Sequence, residues 1–230
     1  MARMPRVVVP HYPHHVTQRG NRRQTTFFLD EDYQAYLDLV AENKTKVGVN
    51  VWAYCLMPNH VHMVLVPEQP DSLARLFRVA HREYTRRINF REDWRGHLWQ
   101  ERFHSFVMDE AHLIATVRYV EMNPVRASLC SRPEQWRWSS VHAHLKGQDD
   151  KLVSVEPMAA RINDWPRYLA VAEQRQRHDT IRKHTRRGRP IGDDSFIDHL
   201  EMITGRNLRP MKSGPKPVRS TVPGTAWRKT

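Results

Sequence analysis

Apolar and polar residues alternate from His60 to Met63, and a continuous apolar run, Val64-Leu65-Val66, follows. Alternation with period two predicts a β-strand, which the apolar run continues. Side chains alternate across a strand, so His60 and His62 share one face, about 7 Å apart. Val61 and Met63 point to the other. Upstream, Val49 to Met57 reads as a second strand, with Val51, Ala53 and Cys55 on one face and Trp52 and Tyr54 on the other. Pro58-Asn59 between them predicts a tight hairpin turn.

The remaining pattern sorts around this hairpin. His14 to Arg19 reads as a short first strand, followed by a basic turn, Gly20-Asn21-Arg22-Arg23. Asp30 is placed to cap a helix carrying Tyr33, Tyr36, Leu37, Val40 and Ala41 at helical spacing, closed at Gly48. Ser72 opens a second helix to about Phe90, with Leu73, Leu76, Phe77, Ala80, Tyr84 and Ile88 on one face. A strand is expected from Phe103 to Met108. Asp109 caps a third helix that Pro124 ends at Asn123. Trp136 to Ser140 starts a short helix or turn. The order β-α-β-β-α-β-α fits an α+β fold, a ferredoxin-like or RRM-like antiparallel sheet with helices on one face.

Past Lys146 the pattern weakens. Pro157 to Gln176 reads as a helical pair. Asp193 or Asp194 caps a helix through Phe196, Ile197, Leu200 and Ile203, ended by Gly205. From Arg206 onward four prolines and seven Lys/Arg predict disorder. The expected organisation is a catalytic domain over 1–146, a helical extension over 147–205 and a basic tail over 206–230.

Charge changes the picture most. The 230 residues carry a net +12 and a pI near 10.1, which points to a polyanionic partner. Residues 181–230 hold 12 Lys/Arg and 4 Asp/Glu, so much of the excess lies at the C-terminal end. Such a tail is either a solvated extension or a phosphate contact made through counterion release. The arginines opposite the apolar stripe of the second helix (Arg75, Arg78, Arg82, Arg86, Arg87) leave the same two readings open. Cys55 and Cys130 form no CxxC pair and read as buried free thiols of a reducing compartment. The N-terminus has no apolar h-region, and no run is long enough to span a membrane, so a cytoplasmic, nucleoid-associated protein is expected.

Two imidazoles on one strand face make half of a metal site, and a third ligand must come from elsewhere. Among fourteen histidines such a pair also arises by chance. A second motif, Arg118-Tyr119-Val120-Glu121-Met122-Asn123-Pro124-Val125-Arg126, puts a phenol and a carboxamide four residues apart on one helical face. Tyr84 competes for the phenol's role, but its stripe spacing assigns it to packing and its i+4 neighbour is Ile88. Single-stranded DNA needs cations and aromatic platforms. Arg19, Arg22, Arg23, Arg102, Arg118 and Arg126 lie near these motifs in sequence, and Trp99 is either a stacking platform or a core residue.

Pro58-Asn59-His60-Val61-His62, Gly96-His97-Leu98-Trp99-Gln100-Glu101-Arg102-Phe103 and Tyr119-Val120-Glu121-Met122-Asn123-Pro124-Val125-Arg126-Ala127 together resemble the REP-associated tyrosine transposases. These belong to the HUH endonuclease class, with the small insertion-sequence transposases. The likeness runs from about Val9 to Leu145, with His15 to Asn21 and Gly188 to Gly192 also family-like. It implies metal-dependent cleavage and rejoining of single-stranded DNA at repeat hairpins, as in transposition and DNA recombination. By that resemblance Tyr119 is the nucleophile and His60, His62 and Asn123 hold the metal. Their mixed N/O set suits Mg²⁺ or Mn²⁺, and imidazole leans toward Mn²⁺. No P-loop is present. The REP-associated members imply a monomer with the tyrosine acting in cis, whereas insertion-sequence enzymes are dimers that share sites. Two further readings stand beside this one. One is a domesticated, non-catalytic nucleic-acid-binding regulator. The other is a metal phosphodiesterase that uses water, with Tyr119 merely structural.

Overall fold

A computed structural model describes residues 5–171 and 175–210. The alternating His60 stretch forms β3 (His60–Pro67). It pairs antiparallel with β2 (Val49–Met57) on one side and with β1 (His14–Arg19) on the other. Pro58 and Asn59 close the β2–β3 hairpin as a two-residue turn. β4 (His104–Val107) pairs with the free edge of β1, giving the sheet order β2-β3-β1-β4. α1 (Asp30–Lys44) joins β1 to β2, and α2 (Ser72–Arg91) joins β3 to β4. After β4 comes α3 (Glu110–Glu121), so the expected element order and the ferredoxin-like sheet are both present.

The helices were expected on one face, and they cover both. On the first face Val61, Met63 and Leu65 of β3 pack against Tyr36 and Val40 of α1 and Leu76, Phe77 and Tyr84 of α2. On the second, Cys55, Val64 and Phe106 pack against Leu113, Val117 and Val120 of α3. The cause lies in the apolar run: Val64 is as apolar as its neighbours and cannot face water without cost, so its face also acquires a layer. The strand that carries the histidines is thereby clamped from both sides.

Two local expectations are corrected. Val51 does not share a face with Ala53 and Cys55, because the pairing register shifts between Val51 and Ala53. This bulge turns Val51 to the first face, beside Tyr54 and Leu56, while Ala53 and Cys55 keep the second. Asp30 does not cap α1. Leu29 occupies the cap, and the carboxylate of the fully buried Asp32 accepts from the backbone N–H of Phe28 (3.0 Å) and Leu29 (3.1 Å). Arg91 holds the same carboxylate at 2.5 and 2.9 Å. Burial alone would raise the Asp32 pKa, but the Arg91 and backbone hydrogen bonds outweigh it and hold the group below its ordinary value. Asp109 caps α3 as expected, accepting from His112 N–H at 2.9 Å.

The helices that follow build mainly onto the second face, while Trp138, Ala143, Leu152, Val153 and Val155 join the first-face core. α4 (Asn123–Arg126) follows α3 directly, and α5 (Val141–Lys146), α6 (Glu156–Ala159), α7 (Trp165–Ala170) and α8 (Arg175–Arg187) come after it. Met158, Trp165, Leu169, Ile181 and Ile191 complete the α3-side core. α9 (Asp194–Thr204) starts at the Asp193 cap and ends at Gly205, whose φ of 62° suits a glycine. Leu200 and Leu208 pack on Val7, Val9 and Val107. The disorder expected from Arg206 onward is corrected for residues 206–210. Arg206 donates to the carbonyls of Arg6 and Pro5, and Arg209 pairs with Asp198 and Glu201. Residues 211–230 of that expected tail lie outside the described residues. Cys55 is buried and Cys130 only half-buried, both free. Among the described residues no helix is long and apolar enough to cross a membrane.

Candidate active site

A cavity of about 690 Å³ lies on the second face, over the start of β3. β1 lines it with Thr17 and Arg19, β3 with His60 and His62, and α3 with Tyr119. α4 contributes Asn123 and Arg126, and α8 contributes Arg182, Thr185 and Arg186. The strand periodicity explains the first pair: His60 and His62 share the face of Val64, and α3 is packed on that face.

The ring centroids of His60 and His62 are 4.9 Å apart. Asn59 Nδ2 donates to the Arg23 carbonyl at 3.0 Å, which turns its Oδ1 toward His60 Nδ1, 2.6 Å away. An amide oxygen can only accept, so His60 Nδ1 carries the proton and Nε2 keeps its lone pair. The turn residue of the hairpin thus orients the first histidine. Burial, then Arg19 and Arg126, push the His60 pKa down to about 3. Burial, then His60, His15 and the arginines, hold His62 well below its ordinary value. Both rings are neutral at neutral pH, the form in which imidazole binds a cation.

Tyr119 is buried with its ring edge-on to His62, at 5.7 Å between centroids. His178 of α8 meets the ring at 5.4 Å, and the Arg126 guanidinium lies over its face at 4.0 Å. The Tyr119 side chain therefore sits on the same side of the sheet as the two histidines. α3 stops at Glu121, and Asn123 opens α4 with Pro124 behind it. That break holds Asn123 at the cavity wall. Its Oδ1 accepts from Arg126 at 2.6 Å, while its Nδ2 is buried without a partner.

These residues fit a divalent ion. They supply two neutral imidazole nitrogens and one amide oxygen, a mixed donor set with room left for phosphate oxygens. The orphaned Asn123 Nδ2 marks an amide whose hydrogen bonding is incomplete in this arrangement. Asn123 Oδ1 would have to exchange Arg126 for the ion. Among the described residues no group of three His, Cys, Asp or Glu is placed to hold a metal ion, and this set of two imidazoles and an amide carries no charge of its own, so it would depend on the phosphate it meets.

Of the seven residues expected to touch DNA, Arg19, Arg23 and Arg126 line the cavity and four do not. Trp99 is 7% exposed and packs among Phe27, Tyr36 and Tyr84, as the core reading expects. Arg118 turns to the Leu169 carbonyl at 3.1 Å. Arg22 is exposed in the turn, outside the cavity, and Arg102 sits beside Phe103 and Arg187 in a separate depression. Tyr84 is on the far face of the sheet, donating to the Thr26 carbonyl at 2.7 Å. The α8 wall was missed. Its helix has Ile181 as its single buried apolar residue, so no stripe announces it. The signal available was the i,i+4 pair Arg182 and Arg186.

Residues 8–123 match the family model described as transposase, IS200-like. A protein of Haemophilus influenzae named as a candidate REP-associated tyrosine transposase is 26% identical over 107 residues. The match spans 42% of this chain and 61% of that relative, less than two thirds of its length. Among solved structures, a REP-associated tyrosine transposase bound to a REP hairpin matches with a TM-score of 0.56 at 19% identity. That alignment covers 67% of this chain and 92% of the other. It supports the fold assigned above.

Proposed function

Because the chain belongs to the IS200-like transposase family, whose model matches residues 8–123, we propose that it cuts and rejoins single-stranded DNA through a covalent link to Tyr119. The observation that carries the reading is convergence. Tyr119 and Asn123, from α3 and α4, meet His60 and His62, from β3, at one cavity on one face of the sheet.

In this reading the Tyr119 hydroxyl attacks a phosphorus of the DNA backbone in line. The bond from phosphorus to the departing deoxyribose oxygen breaks, and that oxygen leaves as a hydroxyl after taking up a proton. The phosphotyrosine conserves the ester, so a DNA hydroxyl can attack it and restore a strand without ATP. A divalent ion, Mg²⁺ or Mn²⁺, held by His60, His62 and Asn123 would polarise the scissile phosphate and stabilise its developing charge. Arg126 lies against the Tyr119 ring, bonds its carbonyl at 3.1 Å and so fixes the α3–α4 corner. Arg19, Arg23, Arg182 and Arg186 supply positive charge along the rim, where a strand's phosphates would run. Tyr119 meets the histidines of its own chain, the geometry that a nucleophile acting in cis requires. The hairpin bound to the solved relative makes a hairpin with a single-stranded flank the substrate to try first.

The test is capture of the intermediate. A single-stranded oligonucleotide flanking a hairpin is incubated with protein and Mn²⁺, and a denaturing gel should show a protein–DNA adduct whose peptide contains Tyr119. Cleavage without any adduct would instead identify a phosphodiesterase that uses water.

Two smaller effects follow. His60→Ala should slow cleavage at limiting Mn²⁺ by roughly 100-fold and recover in part with excess metal, since polarisation of the phosphate is worth several kcal/mol. DNA affinity should change less than about twofold, because phosphate contacts dominate it. Full activity in EDTA would remove the metal from the mechanism. Arg182→Ala with Arg186→Ala should flatten the slope of log affinity against log salt by about 1.4, at about 0.7 per lost single-strand phosphate contact. An unchanged slope would mean that α8 never touches the strand.

A further inference from the structure

His60 and His62 stand on the same strand, yet their second ring nitrogens are held by different means. The Nδ1 of His60 is fixed by its neighbour Asn59. The Nδ1 of His62 lies 2.9 Å from Nε2 of His15, on β1, and the two ring planes are within 5° of parallel. Two neutral histidines in contact through one proton can share it in either sense. If His15 Nε2 donates, the proton of His62 must sit on its Nε2, and that nitrogen is closed to a cation. If His62 Nδ1 donates, its Nε2 keeps the lone pair.

The direction is set from α8. Thr185 Oγ1 donates its one proton to the Ile181 carbonyl at 2.9 Å. With the hydroxyl proton on that shorter contact, the 3.5 Å approach to His15 Nδ1 has the ring as donor, Nδ1–H to Oγ1. A neutral His15 that donates from Nδ1 must accept at Nε2, so His62 Nδ1 is the donor and His62 Nε2 the free base. The His15 ring is 1% exposed, so water cannot replace either partner.

We propose that Thr185 and His15 are positioning residues, a relay from α8 through β1 that fixes the His62 tautomer with its Nε2 lone pair available to a cation. The proposal rests on the reading of His62 as a metal ligand. It gives the C-terminal extension a part in the site beyond walling the cavity: a hydroxyl 170 residues from His15 decides which nitrogen of His62 can bind.

The relay is tested on the full-length, metal-free protein by long-range ¹H–¹⁵N NMR of the histidine side chains, with Mn²⁺ affinity measured in parallel by EPR. The wild type should show His62 as the Nδ1–H tautomer. Thr185→Val keeps the shape and removes the acceptor. It should shift His62 toward the Nε2–H tautomer and weaken Mn²⁺ by about tenfold, the lower end for losing a partner behind a metal-bound histidine. Thr185→Ser should restore both. His15→Phe, which keeps a ring in place, should produce the same tautomer shift directly. An Nε2–H tautomer in the wild type, or an unchanged Nδ1–H tautomer in both Thr185→Val and His15→Phe, overturns the relay. If the tautomer responds as expected while His62→Ala leaves Mn²⁺ affinity intact, the relay stands and the reading of His62 as a ligand falls.

Discussion

Tyr119→Phe should abolish the covalent protein–DNA adduct and slow strand cleavage by at least about 10³-fold, the scale on which loss of a nucleophile acts. The change removes one oxygen. The ring that remains still meets His62, His15 and His178 edge-on and still lies beneath Arg126. Stability should therefore move by less than about 1 kcal/mol. DNA affinity, which depends on phosphates and the rim arginines, should stay near wild type. The measurements are an adduct gel, a single-turnover cleavage rate and a melting curve on the same preparation. Tyr84→Phe is the matched control. It removes a phenol from the opposite face of the sheet and leaves the Thr26 carbonyl without its donor, so it should cost some stability and leave the chemistry alone. An adduct that survives Tyr119→Phe would mean another nucleophile and would remove the central step of the mechanism.

The site was legible because its spacing is local. Period two put His60 and His62 on one face, and four residues joined Tyr119 to Asn123. Neither distance depends on how the rest of the chain folds. The pairing of β2 with β3 was legible for the same reason, since a two-residue turn leaves them no other arrangement. What failed depended on tertiary context. Trp99 and Arg118 sit in family-like motifs, but nothing in a motif says which side chain turns inward, and both do. The bulge at Trp52 inverts the face of Val51 without a glycine or proline to announce it. α8 has no apolar stripe because one side of it faces a cavity and most of it faces water. Its role as the fourth wall could be read only after the sheet was assembled. His15 was part of a family-like stretch, but its contact with His62 spans 47 residues and depends on the β1–β3 register.

The same dependence on assembled structure underlies the largest stability effect to expect. Glu121 lies between Tyr119 and Asn123 and is fully buried at the C-terminal end of α3, where a helix dipole disfavours a carboxylate. Three donors hold it there. Oε1 accepts from Ser140 Oγ and His144 Nδ1, both at 2.6 Å, and Oε2 accepts from Trp165 Nε1 at 2.9 Å. The His144 and Trp165 rings stack at 4.1 Å, so one carboxylate ties α3 to α5 and α7. Glu121→Ala would leave three buried donors unpaired and a void among them. It should cost about 3–5 kcal/mol, the range for breaking a buried polar cluster by removing one partner. Glu121→Gln keeps the shape but turns one acceptor into a donor facing donors, and about 2 kcal/mol should be lost. Denaturant unfolding checks both values. Cleavage by the folded fraction adds a second reading. If the carboxylate also holds α3 against the extension that carries α8, activity per folded molecule should fall with stability. A loss below about 1 kcal/mol for Glu121→Ala would mean that water or a neighbouring side chain replaces the carboxylate. The α3–α7 contact would then rest on apolar packing alone.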